Sequence, residues 1–427
     1  MKKYFSPLYR LILHFLVYIS CRFNLPGFCA LLIKTSLFKH NFSKKKIKSK
    51  KIFIVLYREI GIRDLEIIHN SSNSNFEFLF LKRSITRIIL FCFCNKKKSF
   101  LNYLNNPVTM KDYFNQNVNE KKKHEEFWAD VIFHLKRYFN NKTLNLITFN
   151  YTYFAEAALY AGCKQNYVPV KMWHKESIQT DLDADQEIKT IGIKFRHIFK
   201  YFTSISVYNE LAKKKFIKLD KANIKKIIVN GCPRIKDYIL KNKYYKKPKT
   251  ILFLSFDNKK GILKYKKNKN LNWSTSYNEV IKILNELSNN KSLNIIIKEK
   301  HNSINKINNQ IDKRIKIFKA GTAERFINQA DIIIGHNSSA TIEALVNGKY
   351  VMVPFFENDL KLRKYLLNFN SDIIYTSEKK MKKKILNLVT KKVVFPLDNN
   401  IHNKTIRYYF GDPKNIIKKY SNFLNKN

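Results

Sequence analysis

The densest run of chemically capable residues lies between Asp331 and Gly348. Ile332, Ile333 and Ile334 form an apolar strand leading to Gly335, which permits a tight turn. His336 and Asn337 follow, then Ser338 and Ser339, and one of these serines caps a helix. The free N–H groups and the dipole at such a helix start make an anion site. Glu343, one turn further on, could accept hydrogen bonds from ribose hydroxyls or from the local backbone. Gly348 stops the helix, and the next strand ends at Pro354. The pattern reads as a phosphate site, against the plainer alternative of an ordinary capped helix.

A second group of residues could move protons or hold negative charge. His174 closes the apolar segment Tyr167–Trp173. Imidazole titrates near neutral pH, so His174 can serve as a general base, or it can be structural or orient a substrate. Glu176, two residues on, is the alternative base. Lys298, Lys300 and His301 follow the strand Asn294–Ile297, where cations could hold phosphate or form a solvated charge run. Arg234, in Gly231-Cys232-Pro233-Arg234, could hold a phosphate or pair with a carboxylate. Asp181, Asp183 and Asp185 are loosely spaced and lack the glycine of a calcium loop, so they read as a solvated acidic loop. The cysteines are scattered without paired zinc-ligand spacing, which predicts reduced, buried thiols in a cytosolic compartment and no metal site.

The elements that must position these residues alternate between strand and helix. Ile52–Leu56 is a continuous apolar run, as in a parallel strand covered on both faces, with Arg58 and Glu59 at its carboxyl end. Phe76–Leu81, Leu144–Phe149, Tyr167–Trp173, Ile205–Tyr208 and Lys226–Val229 continue the strands. Helical spacing marks Lys121–Phe139 and Phe154–Tyr160, the latter ending at Gly162. A second strand series runs through Thr250–Phe256, Asn294–Ile297, Arg314–Phe318, Asp331–Ile334 and Tyr350–Val353. Helices at Val280–Leu287, Ala323–Ala330 and Ser339–Val346 separate several of these strands. Such alternation predicts an α/β fold with parallel sheets, whose ligands bind outside the carboxyl ends of strands. The 427 residues suit two domains. The expected division is an N-terminal amphipathic helix and basic linker at 1–50, then Rossmann-like domains at 51–230 and 231–427.

The formal net charge is +49, and a surface of that sign attracts phosphates of nucleic acid, anionic lipid or nucleotides. Heavy use of Lys, Asn, Ile, Phe and Tyr, all with AT-rich codons, accounts for much of it as composition bias. An apolar content of 45% sets disorder aside, and the chain carries no recognised nucleic-acid module, so a nucleic-acid partner is not expected. Leu11–Ile19 is shorter than the about 20 apolar residues of a membrane span. Cys21-Arg22-Phe23 is a poor signal-cleavage site. Tyr4, Phe5, Phe15 and Tyr18, with Lys2, Lys3, Arg10 and Arg22, suit a helix lying on an anionic membrane surface; the alternative is a helix packed on the protein body.

Ser338 and Ser339, with Glu343, Ala344 and Gly348, resemble the C-terminal donor-site motif of GT-B glycosyltransferases. The nearest groups are bacterial surface-polysaccharide enzymes: capsule and lipopolysaccharide transferases, polysialyltransferase-like enzymes and CDP-glycerol glycerophosphotransferases. Gly231, Pro233 and Arg234 resemble their Gly-x-Pro-Arg turn. Lys298–His301 resembles their Lys-x-His-Pro element, whose His contacts donor phosphate, although Asn302 stands in place of the proline. Trp173–Glu176 resembles their His-containing loop, with Lys175 where many relatives have glycine. Arg58 and Glu59 sit where related surface-carbohydrate proteins have an Arg-Glu pair.

The resemblance implies a GT-B fold, two Rossmann-like domains facing across a cleft behind an N-terminal helical extension. It implies metal-independent sugar transfer from a nucleotide-sugar donor, a co-substrate rather than a cofactor, to a glycan or lipid-linked acceptor. The expected location is the cytoplasmic face of a bacterial plasma membrane. Donor binding would fall to Gly231, Pro233, Arg234, Lys298, Lys300, His301, Gly335, Asn337, Ser338, Ser339 and Glu343. Catalysis would fall to His174 and Glu176, and the acceptor side to Arg58 and Glu59. The rivals are a CDP-glycerol-type glycerophosphotransferase, a nucleotide-sugar 2-epimerase on the same fold, a non-catalytic relative and, from another class, a basic nucleic-acid-binding protein.

Overall fold

The computed structural model describes residues 7–40, 42, 50–71, 76–94, 99–140, 142–175, 178, 180–236, 244–256, 272–299, 311–395 and 400–426. The chain packs as two units, Met1–Glu176 with Ile188–Arg234 and Asn415–Asn427, and Ser177–Glu187 with Ile235–Lys414. Each is built on its own parallel six-stranded sheet. These are the Rossmann-like units that the GT-B resemblance implies. Most of the basic linker expected before the first strand lies outside the described residues.

The first unit opens with helices α1 (Pro7–Arg22) and α2 (Pro26–Ser36), where the sequence reads as one helix. Asn24 takes a left-handed φ of 51°, and Pro26 starts the second helix, so the two are joined by a tight break. Then come β1 (Lys51–Leu56), α3 (Glu59–Ser71), β2 (Phe76–Leu81), α4 (Arg83–Cys94), α5 (Phe100–Asn105), α6 (Met110–Phe114) and α7 (Val118–Tyr138). β3 (Thr143–Thr148), α8 (Ala157–Gln165) and β4 (Val170–Trp173) follow. After α9 (Asp181–Glu187), which belongs to the second unit, the first resumes with α10 (Ile193–Phe195), β5 (Ser204–Val207), α11 (Glu210–Leu219) and β6 (Ile227–Val229). The strand order is β2-β1-β3-β4-β5-β6, so the winding reverses between β1 and β3. β1 is buried from Ile52 to Leu56, which is why it reads as an unbroken apolar run.

Two local expectations change. Gly162 does not end its helix; α8 continues to Gln165. A Cβ at Gly162 would lie 2.7 Å from the Trp128 carbonyl carbon and 2.8 Å from the Ala129 nitrogen, so the glycine lets α8 press against α7. Asp181, Asp183 and Asp185 form a helix, not a loop. The Thr180 hydroxyl accepts from Asp183 N at 3.1 Å and donates to its carboxylate at 3.0 Å, and first-turn carboxylates favour the helix dipole.

The second unit contains β7 (Tyr244–Lys246), β8 (Thr250–Leu254), α12 (Ser274–Leu287), β9 (Asn294–Lys298), β10 (Lys316–Phe318), α13 (Ala323–Gln329), β11 (Ile332–Ile334) and α14 (Ser339–Val346). β12 (Tyr350–Pro354), β13 (Ile374–Tyr375), α15 (Glu378–Thr390), β14 (Val393–Phe395) and α16 (Asn400–Phe410) complete it. Its sheet order, β10-β9-β8-β11-β12-β13, is the 3-2-1-4-5-6 order of a doubly wound nucleotide-binding fold. The winding reverses between β8 and β11.

The last helix, α17 (Ile416–Asn425), packs in the first unit, whereas the expected second domain ran to the chain end. Its apolar face buries Ile416, Tyr420, Phe423 and Leu424. Tyr420 stacks on Trp173 at 4.1 Å. Lys171 Nζ donates to the Phe423 carbonyl at 3.1 Å, and Lys51 Nζ donates to the Leu424 carbonyl at 3.0 Å. Two ammonium groups thus meet the negative end of the helix dipole. All six cysteines are free thiols, five buried and Cys94 half-buried. Among the described residues no helix is long and apolar enough to cross a membrane.

Candidate functional site

In a doubly wound sheet the ligand crevice lies outside the carboxyl ends of the two strands where the winding reverses. In the second unit these are β8 and β11, paired through Ile251↔Ile332 and Phe253↔Ile334. Beyond them lie Ser255 and Phe256 on one side and Gly335 to Ser338 on the other. Phe256 stacks on His336 at 4.5 Å, and Trp273 meets the same imidazole edge-on at 4.4 Å. Ser338, not Ser339, is the helix cap: its backbone is extended and its Oγ accepts from Ala340 N at 3.2 Å. Ser339 is the first helical residue and is exposed.

Gly335 is present for a reason other than turn flexibility, because its φ is not positive. A Cβ there would fall far inside van der Waals contact of Thr341 Oγ1, with Cγ2 at 3.1 Å. Thr341 is fully buried, and its hydroxyl donates to the His336 carbonyl at 2.9 Å. The missing side chain lets the first turn of α14 tuck beneath the end of β11. Gly348, with φ 65°, ends the helix as the sequence suggests. Gly348 N donates to Leu345 O at 2.9 Å and Lys349 N to Ala344 O at 3.1 Å, the paired bonds of a Schellman stop.

The remaining donor candidates are placed differently. The Asn337 amide donates to Tyr365 O at 2.7 Å and accepts from Leu367 N at 2.8 Å, so it pins the 365–367 segment. Glu343 is half-buried on α14, and its carbonyl accepts from Asn347 at 2.9 Å. Lys298 ends β9, next to β8; its buried ammonium donates to Lys319 O at 2.9 Å and Glu299 O at 2.5 Å. Burial holds its pKa below the usual lysine range. Lys300 and His301 lie outside the described residues. Gly231, Pro233 and Arg234 end the Ile188–Arg234 segment of the first unit. Gly231 has φ 81° and its carbonyl accepts from Tyr420 Oη at 2.9 Å, while Pro233 starts a 3₁₀ turn. Arg234 Nε lies 3.1 Å from the buried Asp64 carboxylate, which also accepts from Tyr208 Oη, so the carboxylate-pairing alternative holds.

The first unit has its own reversal point, at the carboxyl ends of β1 and β3. Arg58, two residues past β1, hydrogen-bonds Tyr153 Oη, and its guanidinium lies 5.6 Å from that ring centroid. Arg83, two residues past the neighbouring β2, lies 3.6 Å from the same ring and pairs with Glu156 at 2.7 Å. Lys175 Nζ sits 5.6 Å from the Phe149 ring. Glu59 opens α3. A Cβ at Gly61, in the first turn of α3, would overlap the Phe149 ring. His174, at the end of β4, is only 1% exposed, with its ring edge-on to Phe216 at 4.7 Å. Burial, then the charges of Lys215 and Arg58, hold its pKa well below the usual imidazole range, so the ring is neutral. Neither ring nitrogen has a hydrogen-bond partner among the described residues. Glu176 lies outside them.

Sequence reasoning did not single out Tyr153, Arg83 or Thr341, and took Lys175 only as a departure from glycine. Arg83 carried one readable signal: it stands two residues after an apolar strand, as Arg58 does, and Leu56 and Leu81 are register partners.

No protein-family model and no curated protein matches the sequence. Solved structures similar to this chain include a putative UDP-N-acetylglucosamine 2-epimerase from Listeria monocytogenes, at 10% identity and TM-score 0.47, covering 87% of this chain and 94% of that one. The wall teichoic acid polymerase TagF matches at 10% identity and TM-score 0.47, covering 97% and 96%. An α,α-trehalose-phosphate synthase (UDP-forming) from Burkholderia vietnamiensis matches at 7% identity and TM-score 0.45, covering 88% and 99%.

Proposed function

We propose that this chain is a GT-B-type glycosyltransferase that moves a sugar from a nucleotide-activated donor to a glycan or lipid-linked acceptor in surface-polysaccharide biosynthesis. The observation that carries this reading is the β8/β11 reversal point, where the Ser338-capped start of α14 stands beside the crevice. Backbone N–H groups and the helix dipole suit the phosphates of a leaving nucleotide, and they act without a metal. Lys300 and His301 are proposed as further phosphate contacts on the resemblance of their segment alone.

The first unit is proposed to bind the acceptor. Arg58 and Lys175 would meet an anionic group on it, and His174 would take the proton from its attacking hydroxyl. Two buried ring nitrogens with no hydrogen-bond partner among the described residues are costly for a fold to keep, which favours a role in the reaction. The proposed location is the inner face of a membrane. Leu8, Ile12 and Phe15 form an exposed apolar stripe on α1 at helical spacing, with Arg10 and Arg22 exposed on the same helix.

A titration with CMP, CDP, UDP and GDP, then turnover with the matching nucleotide sugars and CDP-glycerol, tests the reading. One base should bind saturably, and Ser338→Ala with Ser339→Ala should weaken it about tenfold or more, the loss of about 1.4 kcal/mol. His174→Ala should fold and lose turnover, and a chelator should leave wild-type turnover intact. Equal affinity in the serine variant removes the donor site. Conversion of the nucleotide sugar without an acceptor makes the chain an epimerase.

A further inference from the structure

The first unit holds a polar cavity, of about 190 Å³, between the α6–α7 turn, the first turns of α7 and α8, and the 3₁₀ segment Arg196–Tyr201. Gln116 lines it, only 5% exposed, and neither its amide oxygen nor its amide nitrogen has a hydrogen-bond partner among the described residues. A carboxamide can make about four hydrogen bonds, and each buried group left unmade costs about 1–3 kcal/mol. His124 also lines the cavity, 1% exposed and stacked on Phe93 at 5.0 Å. Its Nε2 is likewise unpartnered among the described residues. Burial pushes its pKa down to about 3, so this ring is neutral at physiological pH.

The other walls are pre-set. His197 Nδ1 donates to the Lys194 carbonyl at 3.1 Å, so its Nε2 accepts from Tyr113 Oη at 2.9 Å. That fixes the hydroxyl proton and leaves the oxygen's lone pairs for another donor. Lys121 and Lys200 bring two positive charges to the cavity against the single carboxylate of Glu125. Ala157 and Ala158, both small, leave room opposite. The volume is below the about 300–1,000 Å³ of clefts for drug-sized ligands, so a nucleotide is too large and one small ring fits.

We propose that this cavity binds a monosaccharide carrying one anionic group, a sugar phosphate or a sugar acid, with Gln116 and His124 reading hydroxyls and Lys121 and Lys200 holding the charge. The site is argued without the transferase reading and stands or falls separately from it.

Calorimetric titration of the full chain with glucose 1-phosphate, glucuronic acid, glucose and inorganic phosphate tests the site. One of the two anionic sugars should bind saturably at one per chain, at least tenfold more tightly than glucose or phosphate. Gln116→Leu and Lys200→Ala should each weaken it at least tenfold. Gln116→Leu, which removes an unsatisfied buried amide, should keep or raise the melting temperature of the free protein; a lower one would make Gln116 structural and overturn the assignment. No saturable binding of either anionic sugar would leave a water-filled cavity only. Phosphate binding as tightly as the sugars would leave an adventitious ion only. Unchanged affinity in both variants would place the ligand elsewhere.

Discussion

Gly335 offers the sharpest test of how the crevice beyond β8 and β11 is built. In Gly335→Ala the new methyl meets Thr341 Oγ1, with Thr341 Cγ2 at 3.1 Å and Cβ at 3.2 Å. Thr341 is stiff at χ1, fully buried, and tied to the His336 carbonyl at 2.9 Å, so it cannot swing away freely. Overpacking of this kind costs about 1–3 kcal/mol. Thr341→Ala alone loses one hydrogen bond, about 1 kcal/mol, and one buried methyl, about 0.8 kcal/mol. Independent effects would put the double variant about 3–5 kcal/mol below wild type. If the clash with Thr341 is the cause, removing Oγ1 and Cγ2 relieves it. The double variant then falls near Thr341→Ala alone, a coupling of at least about 1 kcal/mol. Urea unfolding of the four proteins measures this, and nucleotide titration should show the same recovery. Additivity within about 0.5 kcal/mol, or a neutral Gly335→Ala, would refute the close-approach account.

Four further outcomes follow from the packing. Tyr420→Phe should cost about 1 kcal/mol for the Gly231 carbonyl's lost donor. Tyr420→Ala should cost about 3–5 kcal/mol; an unfolding curve shifted by less than 1 kcal/mol would mean α17 is not part of the first unit's core. Asp331 accepts from Lys246 Nζ at 2.7 Å, Lys249 N at 2.9 Å and Thr250 N at 3.0 Å, at the amino end of β11 and away from the crevice. Asp331→Ala should therefore cost about 2–4 kcal/mol, chiefly for two backbone N–H groups left without their acceptor, and leave nucleotide affinity unchanged; a stable variant that loses nucleotide would reverse this. Burial pushes Lys171 from its ordinary 10.5 down to about 8. Its folded pKa is the lower, so the folded state binds fewer protons between those values, and stability relative to Lys171→Met should rise from pH 8 toward 10.5. A flat difference across that window would show that Lys171 is not desolvated.

The inner strands were readable because both of their faces are covered. Ile52–Leu56 and Ile332–Ile334 have no polar face to show, so each stands out as an apolar run. Gly348 was readable because a Schellman stop is local. What escaped was set by partners distant in sequence. Nothing near Gly162 tells of Trp128 and Ala129, so a packing glycine looks like a helix end. Arg234 meets Asp64, 170 positions earlier, and a spacing argument cannot choose between that carboxylate and a phosphate. No element was read past Val353, so α17 and the unit it covers escaped as well. Asn337 sits inside a motif, yet its amide is taken up by Tyr365 and Leu367.

The two reversal points share one construction and differ in chemistry. In both, a glycine in or just before a helix's first turn leaves space that another residue fills: Phe149 at Gly61 and Thr341 at Gly335. The helix start is thereby drawn close under the strand end, where its N–H groups can face a ligand. What surrounds that start is different. The second unit has a serine cap beside the packed aromatic group of Phe256, Trp273 and His336. The first presents Arg58, Lys175 and Arg83 around Tyr153 and Phe149, with Glu156 offsetting Arg83. A desolvated guanidinium attracts an anion far more strongly than an exposed one. Under the proposed acceptor role, the half-buried Arg58 and Arg83 and the buried Lys175 would therefore count for more than the +49 spread over the chain, much of which is solvated and screened by salt.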